Sequence, residues 1–285
     1  MDFNTESSDF DNLKRGVDFT QEPTTQITPE LYQSPGLQAG NGTDRQAIEL
    51  KFLVDLPLAE RIRQRASEEL ALDPFSNQSS GTYGVSSYYL DTPERDIYHR
   101  TELLRGTKFR FRQYKDSPQI FLERKTRRQG VVSKQRFAVD LAELSSRNAL
   151  SIPIWSEVSE FCLAPSCAVH YTRSAFVERT PSNPFRVTID VKLQRYQFQT
   201  ATYPNPTWAQ LIDYLTEYNT LSNSGLTGKS VRHDLLPSMA VVEFKFMESL
   251  PKHLVRWLEE FQIGPVKFSK FRTAIAEYLA PQVAP

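Results

Sequence analysis

Lysine and arginine recur at every second position along several short segments of the sequence. Lys108, Arg110 and Arg112 follow this spacing, with Phe109 and Phe111 between them. Because alternate side chains of a β-strand lie on the same face, such a segment predicts a strand with one cationic and one apolar face. Cationic side chains bind phosphate oxygens, and carboxylates interspersed among them bind divalent metal ions.

Similar polar faces recur in the other segments that are expected to form strands. A single charged face usually lies against solvent, as on the outside of a β-sandwich, and this alternative stays open for any one strand. Repetition over six or seven strands favours a barrel with an apolar exterior, covered by helices, and a polar bore. The further faces comprise Glu49 and Lys51; Glu123, Lys125 and Arg127; Lys134 and Arg136; Tyr171 and Arg173; Arg186, Thr188, Asp190 and Lys192; and Glu243 and Lys245.

A bore lined with cations requires an anionic occupant. Confined positive charges repel one another and lose solvation, and a polyanion with one charge per unit offsets both costs. Phosphate chains meet this description, and the planar guanidinium of arginine suits bidentate contact with phosphate. The carboxylates on the same faces are expected to orient cations or to bind a metal ion; they are Glu49, Glu123, Asp190 and Glu243.

Charge is unevenly distributed along the 285-residue chain, although its formal net charge is zero. Residues 1–44 contain eight of the 34 acidic side chains but only two of the 34 basic ones, so the remainder is net basic and suits an anionic partner. These first residues are rich in Thr, Ser, Gln, Pro and Asp and lack apolar periodicity. They predict a flexible acidic tail, followed by one domain over residues 45–285.

Cysteine usage and the chain start bear on the cellular compartment. Cys162 and Cys167 are the only two cysteines. They fit neither a four-ligand zinc site nor a disulfide framework, which favours a reducing cytoplasm. The acidic start does not resemble a secretory signal, and no apolar run has transmembrane length. We therefore expect a cytoplasmic protein.

The apolar periodicities predict an α+β fold, in which eight or more strands joined mostly by short turns form an antiparallel β-barrel with helices packed outside. The predicted strands are Ala47–Val54, Val85–Leu90, Lys108–Tyr114, Gln119–Arg127, Val131–Asp140, Ala168–Arg179, Phe185–Leu193, Tyr196–Thr202 and Met239–Phe246. The predicted helices are Leu58–Leu70, Ile152–Leu163, Thr207–Asn219, His253–Phe261 and Ser269–Leu279.

The order of the motifs resembles the polyphosphate-polymerase branch, or VTC (vacuolar transporter chaperone) branch, of the triphosphate tunnel enzymes. Ile48–Phe52 resembles the Glu-x-Lys signature that opens the first strand of that superfamily. Five further motifs follow in matching order, namely Tyr88–Pro93, Lys108–Arg112, Phe121–Lys125, Val242–Lys245 and Lys267–Phe271. The resemblance extends from about Arg45 to Leu279, and it implies a triphosphate tunnel fold.

The resemblance also implies an activity, which is the transfer of the γ-phosphate of ATP to a growing polyphosphate with Mn²⁺, or Mg²⁺, as cofactor. Tyr171 would line the tunnel and Glu243 would hold the metal. The implied phosphate-binding residues are Lys51, Arg110, Arg112, Lys125, Lys134, Arg173, Arg186, Lys267, Ser269 and Lys270. ATP and polyphosphate would be the partners, and nucleic acid would not. Yeast-type members carry a phosphate-sensing domain and a membrane segment that are not recognised here, so a membrane-protein partner stays open.

Several alternatives accompany these roles. The same tunnel would serve a triphosphate hydrolase with water as acceptor, or a non-catalytic module that binds polyphosphate. Glu243 would either bind metal or pair with an arginine inside the tunnel. Segment Lys267–Lys270 would serve as a helix start with Ser269 as N-cap, and capping is compatible with phosphate binding at a helix N-terminus.

Overall fold

The computed structural model describes residues 47–279, apart from positions 75, 78, 116, 118, 129–130, 141, 143, 145–152, 180–184, 199–207, 209–210, 213–214, 216–229 and 248–249. The acidic tail predicted for residues 1–44 lies outside this range. The described strands are β1 (Ala47–Asp55), β2 (Ala71–Leu72), β3 (Thr82–Asp91), β4 (Thr107–Tyr114), β5 (Ile120–Arg128), β6 (Val131–Val139), β7 (Ala164–Val177), β8 (Arg186–Phe198), β9 (Ser230–Asp234) and β10 (Met239–Met247). The helices are α1 (Leu56–Glu69), α2 (Asp96–His99), α3 (Trp155–Glu160), α4 (Lys252–Phe261) and α5 (Lys270–Leu279).

The strands form one antiparallel sheet in the order β1-β10-β8-β7-β3-β4-β5-β6, with β2 added to β7 and β9 to β8. β1 and β5 lie near opposite ends of this order, yet the Nζ of Lys125 on β5 lies 2.9 Å from a carboxylate oxygen of Glu49 on β1. Such a contact requires the sheet to curl, so that strands near its two ends face each other across the concave side. The α+β prediction of an antiparallel barrel of the triphosphate tunnel type is therefore confirmed.

The apolar core lies on the convex side of the sheet. One cluster joins β1, β8 and β10 to α1 and α4, with Phe52, Phe244 and Trp257 fully buried at its centre. A second cluster lies behind β3, β4, β5 and β7, where Phe109 and Phe111 are fully buried. Because the convex side takes the large apolar side chains, the concave side is left to the polar ones, as the alternation predicted.

Helix α1 shows how local sequence places this outer layer. The side chain of Asp55 accepts a hydrogen bond from the backbone N–H of Leu58 at 2.8 Å, and Pro57 lies in the first turn, where its missing N–H costs nothing. Ile62 and Ala66, one turn apart, are fully buried against the sheet. The helix therefore begins two residues earlier than the predicted Leu58–Leu70.

The structure differs from the sequence predictions in β8 and in three short elements. β8 is one strand, whereas Phe185–Leu193 and Tyr196–Thr202 were predicted as two; Lys192 adopts a positive φ of 53° within it, and the register to β7 shifts between His170 and Thr172. Such an irregularity resembles a β-bulge, in which pairing resumes after an interruption of the alternation. The short elements β2, β9 and α2 were not predicted.

Two predicted helices lie partly outside the described residues. In place of Ile152–Leu163, the described helix is α3, which ends at Glu160. Thr207–Asn219 is described only at four positions, all helical: Trp208, Leu211, Ile212 and Leu215. The longest described helix, α1, has 14 residues, so no described helix meets the length and apolarity needed to cross a membrane.

Removing Phe244 tests whether the convex core stabilises the fold. Its ring lies edge-on to Phe52 at 5.3 Å and is stacked with Phe185 at 6.0 Å between centroids. We expect Phe244→Ala to lower the free energy of unfolding by about 3–5 kcal/mol, because the cavity and lost burial add. Chemical denaturation measures the change. Leu103→Ala, at a position 65% exposed, is the control and should change it little.

Candidate functional site

The concave side of the sheet carries the predicted rows of cations. Strand pairing sets Lys108 opposite Lys125, and Lys125 opposite Lys134, so three lysines lie side by side on β4, β5 and β6. Like charges directly opposite one another destabilise a sheet. Burial, together with neighbouring cations, lowers the pKa of Lys108 to about 7 and that of Lys134 to about 8. These side chains therefore favour any anion that enters.

Glu123 on β5 partly neutralises the arginines beside this row. Its Oε2 accepts a hydrogen bond from Nε of Arg110 at 2.8 Å, and Nη2 of Arg110 lies 2.6 Å from the same oxygen. Lys134 lies 3.0 Å, Arg136 3.6 Å and Arg112 4.0 Å from its carboxylate. Burial opposes ionisation of Glu123, but Arg110, Arg112 and Lys134 outweigh burial and hold its pKa well below the usual range. One carboxylate thus holds several cations in place.

Asp190 on β8 forms a second buried centre. Arg173 donates from Nε and Nη2 to its two oxygens at 2.6 and 2.8 Å, and Lys270 Nζ lies 2.7 Å from Oδ2. Tyr171 lies beside them, because Lys270 Nζ is 4.8 Å from its ring and Arg112 donates to its hydroxyl at 2.7 Å. Burial favours the neutral phenol, but Arg112, Arg173 and Lys270 outweigh it and lower the pKa of Tyr171.

Glu49 and Glu243 form the third centre, on β1 and β10. Lys51 lies 2.7 Å from Glu49 and 3.8 Å from Glu243, while Lys245 lies 3.7 and 2.8 Å from the same carboxylates. Burial would raise the pKa of Glu49, but Lys245, Lys51 and Lys125 outweigh burial and hold it far below the usual range. Both carboxylates are therefore ionised and share the same two lysines.

These two carboxylates fit a hard divalent cation. Mg²⁺ and similar ions prefer oxygen ligands and are often held by one or two carboxylates, with substrate phosphates and water completing the shell. Thr188 lies directly opposite Glu243 in the β8–β10 ladder, and its buried hydroxyl has no hydrogen-bond partner among the described residues. Within the same residues, no group of three or more His, Cys, Asp or Glu side chains could hold an ion by itself. Any metal here would therefore depend on phosphate oxygens for the rest of its shell.

The start of α5 closes one end of this concave face. Ser269 Oγ accepts a hydrogen bond from the backbone N–H of Arg272 at 3.3 Å, so Ser269 caps the helix as predicted. The same oxygen accepts from Lys108 Nζ at 2.9 Å, and Lys270 reaches Asp190. The N-terminus of α5 therefore points its positive end toward the cations, where an anion would bind favourably.

Most predicted site residues lie together around the three carboxylate centres. One lies apart: Lys267 is exposed, with no ion pair to the described residues. Arg186 lies opposite Lys245 in the β8–β10 ladder and pairs with Asp73 at 2.8 Å. The residues brought together are Lys51, Arg110, Arg112, Lys125, Lys134, Tyr171, Arg173, Glu243, Ser269 and Lys270. Lys108, Arg136 and Lys245 also lie there, although the sequence identified them only through their alternate spacing.

Comparison with known families agrees with this geometry. The sequence profile of the VTC domain matches residues 46–279, which is most of the chain. The chain belongs to the VTC-domain family. No curated protein sequence matches this VTC domain.

Several solved structures share a similar fold at low sequence identity. A candidate adenylate cyclase from Bacillus halodurans is 10% identical, with a TM-score of 0.44 over 79% of this chain and 94% of that chain. A candidate adenylyl cyclase from Hippeastrum, described as having a dominant triphosphatase activity, is 15% identical, with a TM-score of 0.44 over 83% and 98%. The PH1819 protein from Pyrococcus horikoshii is 12% identical, with a TM-score of 0.43 over 81% and 99%.

Replacing Asp190 tests the second centre. Asp190→Asn leaves Arg173 and Lys270 buried without their carboxylate, so we expect a loss of about 3 kcal/mol in the free energy of unfolding. Added tripolyphosphate should stabilise this variant more than the wild type, because phosphate supplies the missing negative charge. Thermal unfolding with and without tripolyphosphate measures both effects. Asp234→Asn, at an exposed position of β9, should behave as wild type; equal stabilisation of both variants would place Asp190 away from the anion site.

The low pKa of Lys108 predicts proton uptake when an anion binds. With a pKa of about 7 in the free protein, Lys108 is mostly neutral at pH 8, and a nearby phosphate raises its pKa. Binding therefore takes up a proton, and affinity increases as the pH falls through this range. Titration calorimetry of tripolyphosphate in buffers of different ionisation enthalpy measures the uptake.

Because the arginine side chain in Lys108→Arg stays charged, we expect this variant to take up fewer protons than wild type when tripolyphosphate binds. The difference should be at most about one proton per binding site. Lys252→Arg, at the exposed start of α4, is the matched control and should leave the uptake unchanged. An identical uptake by wild type and Lys108→Arg would show that Lys108 does not meet the anion.

Proposed function

We propose that this VTC domain is a polyphosphate polymerase that transfers the γ-phosphate of ATP to the end of a polyphosphate chain. The observation that carries the proposal is the convergence of cations from successive strands and α5 around three carboxylate centres on one concave face. Membership of the VTC-domain family supports the same assignment. Other anions are less well matched, because the cations form an extended array instead of one pocket.

The charge balance of the site favours a substrate with many negative charges. Cations outnumber carboxylates on the concave face, and the lysine row of β4, β5 and β6 includes side chains whose pKa values are lowered. A phosphate chain would lie across this row and across the arginines, relieving their mutual repulsion. The electrostatic field would also align donor and acceptor phosphates, which is the main requirement of phosphoryl transfer.

The arginines are held in fixed orientations before substrate arrives. Arg110 is fixed by Glu123, and Arg112 donates to Ser87 at 3.2 Å as well as to Tyr171. Preoriented guanidinium groups can stabilise charge on the transferring phosphoryl group without reorganisation. Their role would be to bind the oxygens of the γ-phosphate and of its acceptor.

The transfer needs no nucleophile from the protein. A terminal oxygen of the acceptor chain attacks the γ-phosphorus of ATP, the bond between that phosphorus and the β–γ bridging oxygen breaks, and ADP leaves. Glu243 and Glu49 would hold Mn²⁺ or Mg²⁺, which would supply positive charge to the phosphate groups. Lys51 and Lys245, which pair with these carboxylates, would keep both of them ionised and oriented.

Product analysis tests the activity directly. The protein is incubated with ATP and either Mn²⁺ or Mg²⁺, and the products are separated by gel electrophoresis. We expect polyphosphate chains that lengthen with time. Free phosphate without chain growth would identify a triphosphate hydrolase instead. Tight binding of polyphosphate with neither product would identify a binding module.

Two substitutions test the residues. We expect Arg110→Ala and Glu243→Gln each to reduce turnover by at least about 100-fold, because each removes charge stabilisation at the transferring group. Circular dichroism should show that both variants remain folded. Arg124→Ala is the matched control, since Arg124 lies on the convex face of β5 and pairs with Glu157. Full activity of the two site variants would refute the assigned site.

A further inference from the structure

A second set of side chains lies beyond the arginines, at the end of the concave face away from α5. Lys108, at the start of β4, contacts Ser269 before α5, and β4 then runs away from that helix to Tyr114. Phe121 on β5 lies opposite Arg112 in the ladder, and Tyr83 lies near the start of β3. We call Tyr83, Tyr114 and Phe121 the aromatic rim.

The rings of the aromatic rim contact one another in sequence. Tyr83 and Tyr114 have centroids 5.9 Å apart, and Tyr114 and Phe121 are 6.3 Å apart in an edge-to-face arrangement. All three rings are half-buried. They therefore form a continuous aromatic surface across β3, β4 and β5 that is still accessible from the end of the tunnel.

An arginine lies at each end of this surface. The guanidinium of Arg136 lies 3.5 Å from the centroid of the Phe121 ring and 5.4 Å from that of Tyr114. Its side chain is still 35% exposed. Arg186 donates to the Tyr83 hydroxyl at 3.2 Å. Planar rings combined with stacked guanidinium groups are the surfaces on which unpaired nucleobases bind in proteins.

The aromatic rim is continuous with the phosphate-binding arginines. Arg136 contacts both Phe121 and the carboxylate of Glu123, which also holds Arg110. Tyr114 follows Arg112 by two residues on the same face of β4, which is about 7 Å along a strand. A ligand with a planar base at one end and a phosphate chain at the other would match this succession.

We propose that the aromatic rim, together with the Arg136 guanidinium that lies over it, binds the base of the nucleoside triphosphate by stacking. This inference rests on the proposed function, because it places the phosphates of the same molecule on Arg110 and Arg112. Stacking uses the face of a base and not its hydrogen-bonding edge, so the rim accepts different bases. Purine triphosphates such as ATP and GTP should bind with similar affinity.

Calorimetric titration with two ligands tests the proposal on the full chain. The ligands are the β,γ-imido analogue of ATP, which resists transfer, and inorganic tripolyphosphate, which has no base. We expect Phe121→Leu and Tyr114→Leu each to lower the affinity for the ATP analogue by about 10-fold, since each variant loses part of the stacking surface. The affinity for tripolyphosphate should change less than twofold. Phe137→Leu, on the convex face of β6, is the control and should affect neither ligand.

The outcomes separate the two proposals. If the two rim variants lower the affinity for both ligands equally, or for neither, the base site is overturned while the phosphate site stands. If wild type binds neither ligand, the proposed function fails and the base site fails with it. A loss of affinity for the ATP analogue alone supports the base site.

A measurement on the native chain covers the case in which the variants do not fold. The triphosphate of 2-aminopurine riboside is fluorescent, and stacking quenches the fluorescence of its base. We expect quenching on binding that excess ATP reverses and that excess tripolyphosphate also reverses by competition for the phosphate site. Binding without quenching would overturn the proposal.

Discussion

Repulsion among cations confined to one concave face is the constraint on which the rest of this structure depends. Lysines of β4, β5 and β6 lie directly opposite one another, and arginines of the same strands lie close by. Four carboxylates offset part of this repulsion: Glu49, Glu123, Asp190 and Glu243. The net charge of the concave face remains positive, so the ligand-free protein attracts a polyanion.

This arrangement requires the apolar core to lie outside the curled sheet. A β-strand offers only two faces, and the concave one is occupied by charge. Phe52, Phe109, Phe111 and Phe244 therefore lie on the convex side, where helices and loops exclude water from them. The outer helices thus stabilise the tunnel indirectly, since without them the sheet would expose the large apolar surface of its convex side.

Ionic networks of this kind contribute more to function than to stability. Placing charges in a site of low dielectric costs desolvation energy, and the ion pairs recover only part of it. A phosphate chain recovers more, because it replaces internal pairs and water with many charge-assisted hydrogen bonds. The carboxylates then act as positioning groups: Glu123 fixes Arg110, and Asp190 fixes Arg173 and Lys270.

Alternation along each strand was visible in the sequence, because side-chain direction in a strand depends only on local backbone geometry. This periodicity predicted the strands, their cationic face and the site residues that lie on strands, whereas Ser269 and Lys270 were implied by the resemblance to the family. The order of motifs likewise indicated the VTC-domain family, which the family profile confirmed.

Tertiary structure decided which side chains of the site contact one another. Which carboxylate meets which cation depends on how far the sheet curls and on strand register, as in the pairing of Lys125 on β5 with Glu49 on β1. Strand pairing also joined Tyr83, Tyr114 and Phe121 into one aromatic surface, because β3, β4 and β5 are neighbours in the sheet. The irregularity at Lys192 kept β8 continuous where local sequence predicted a break. Contacts between residues distant in sequence set these features, and no single segment encodes them.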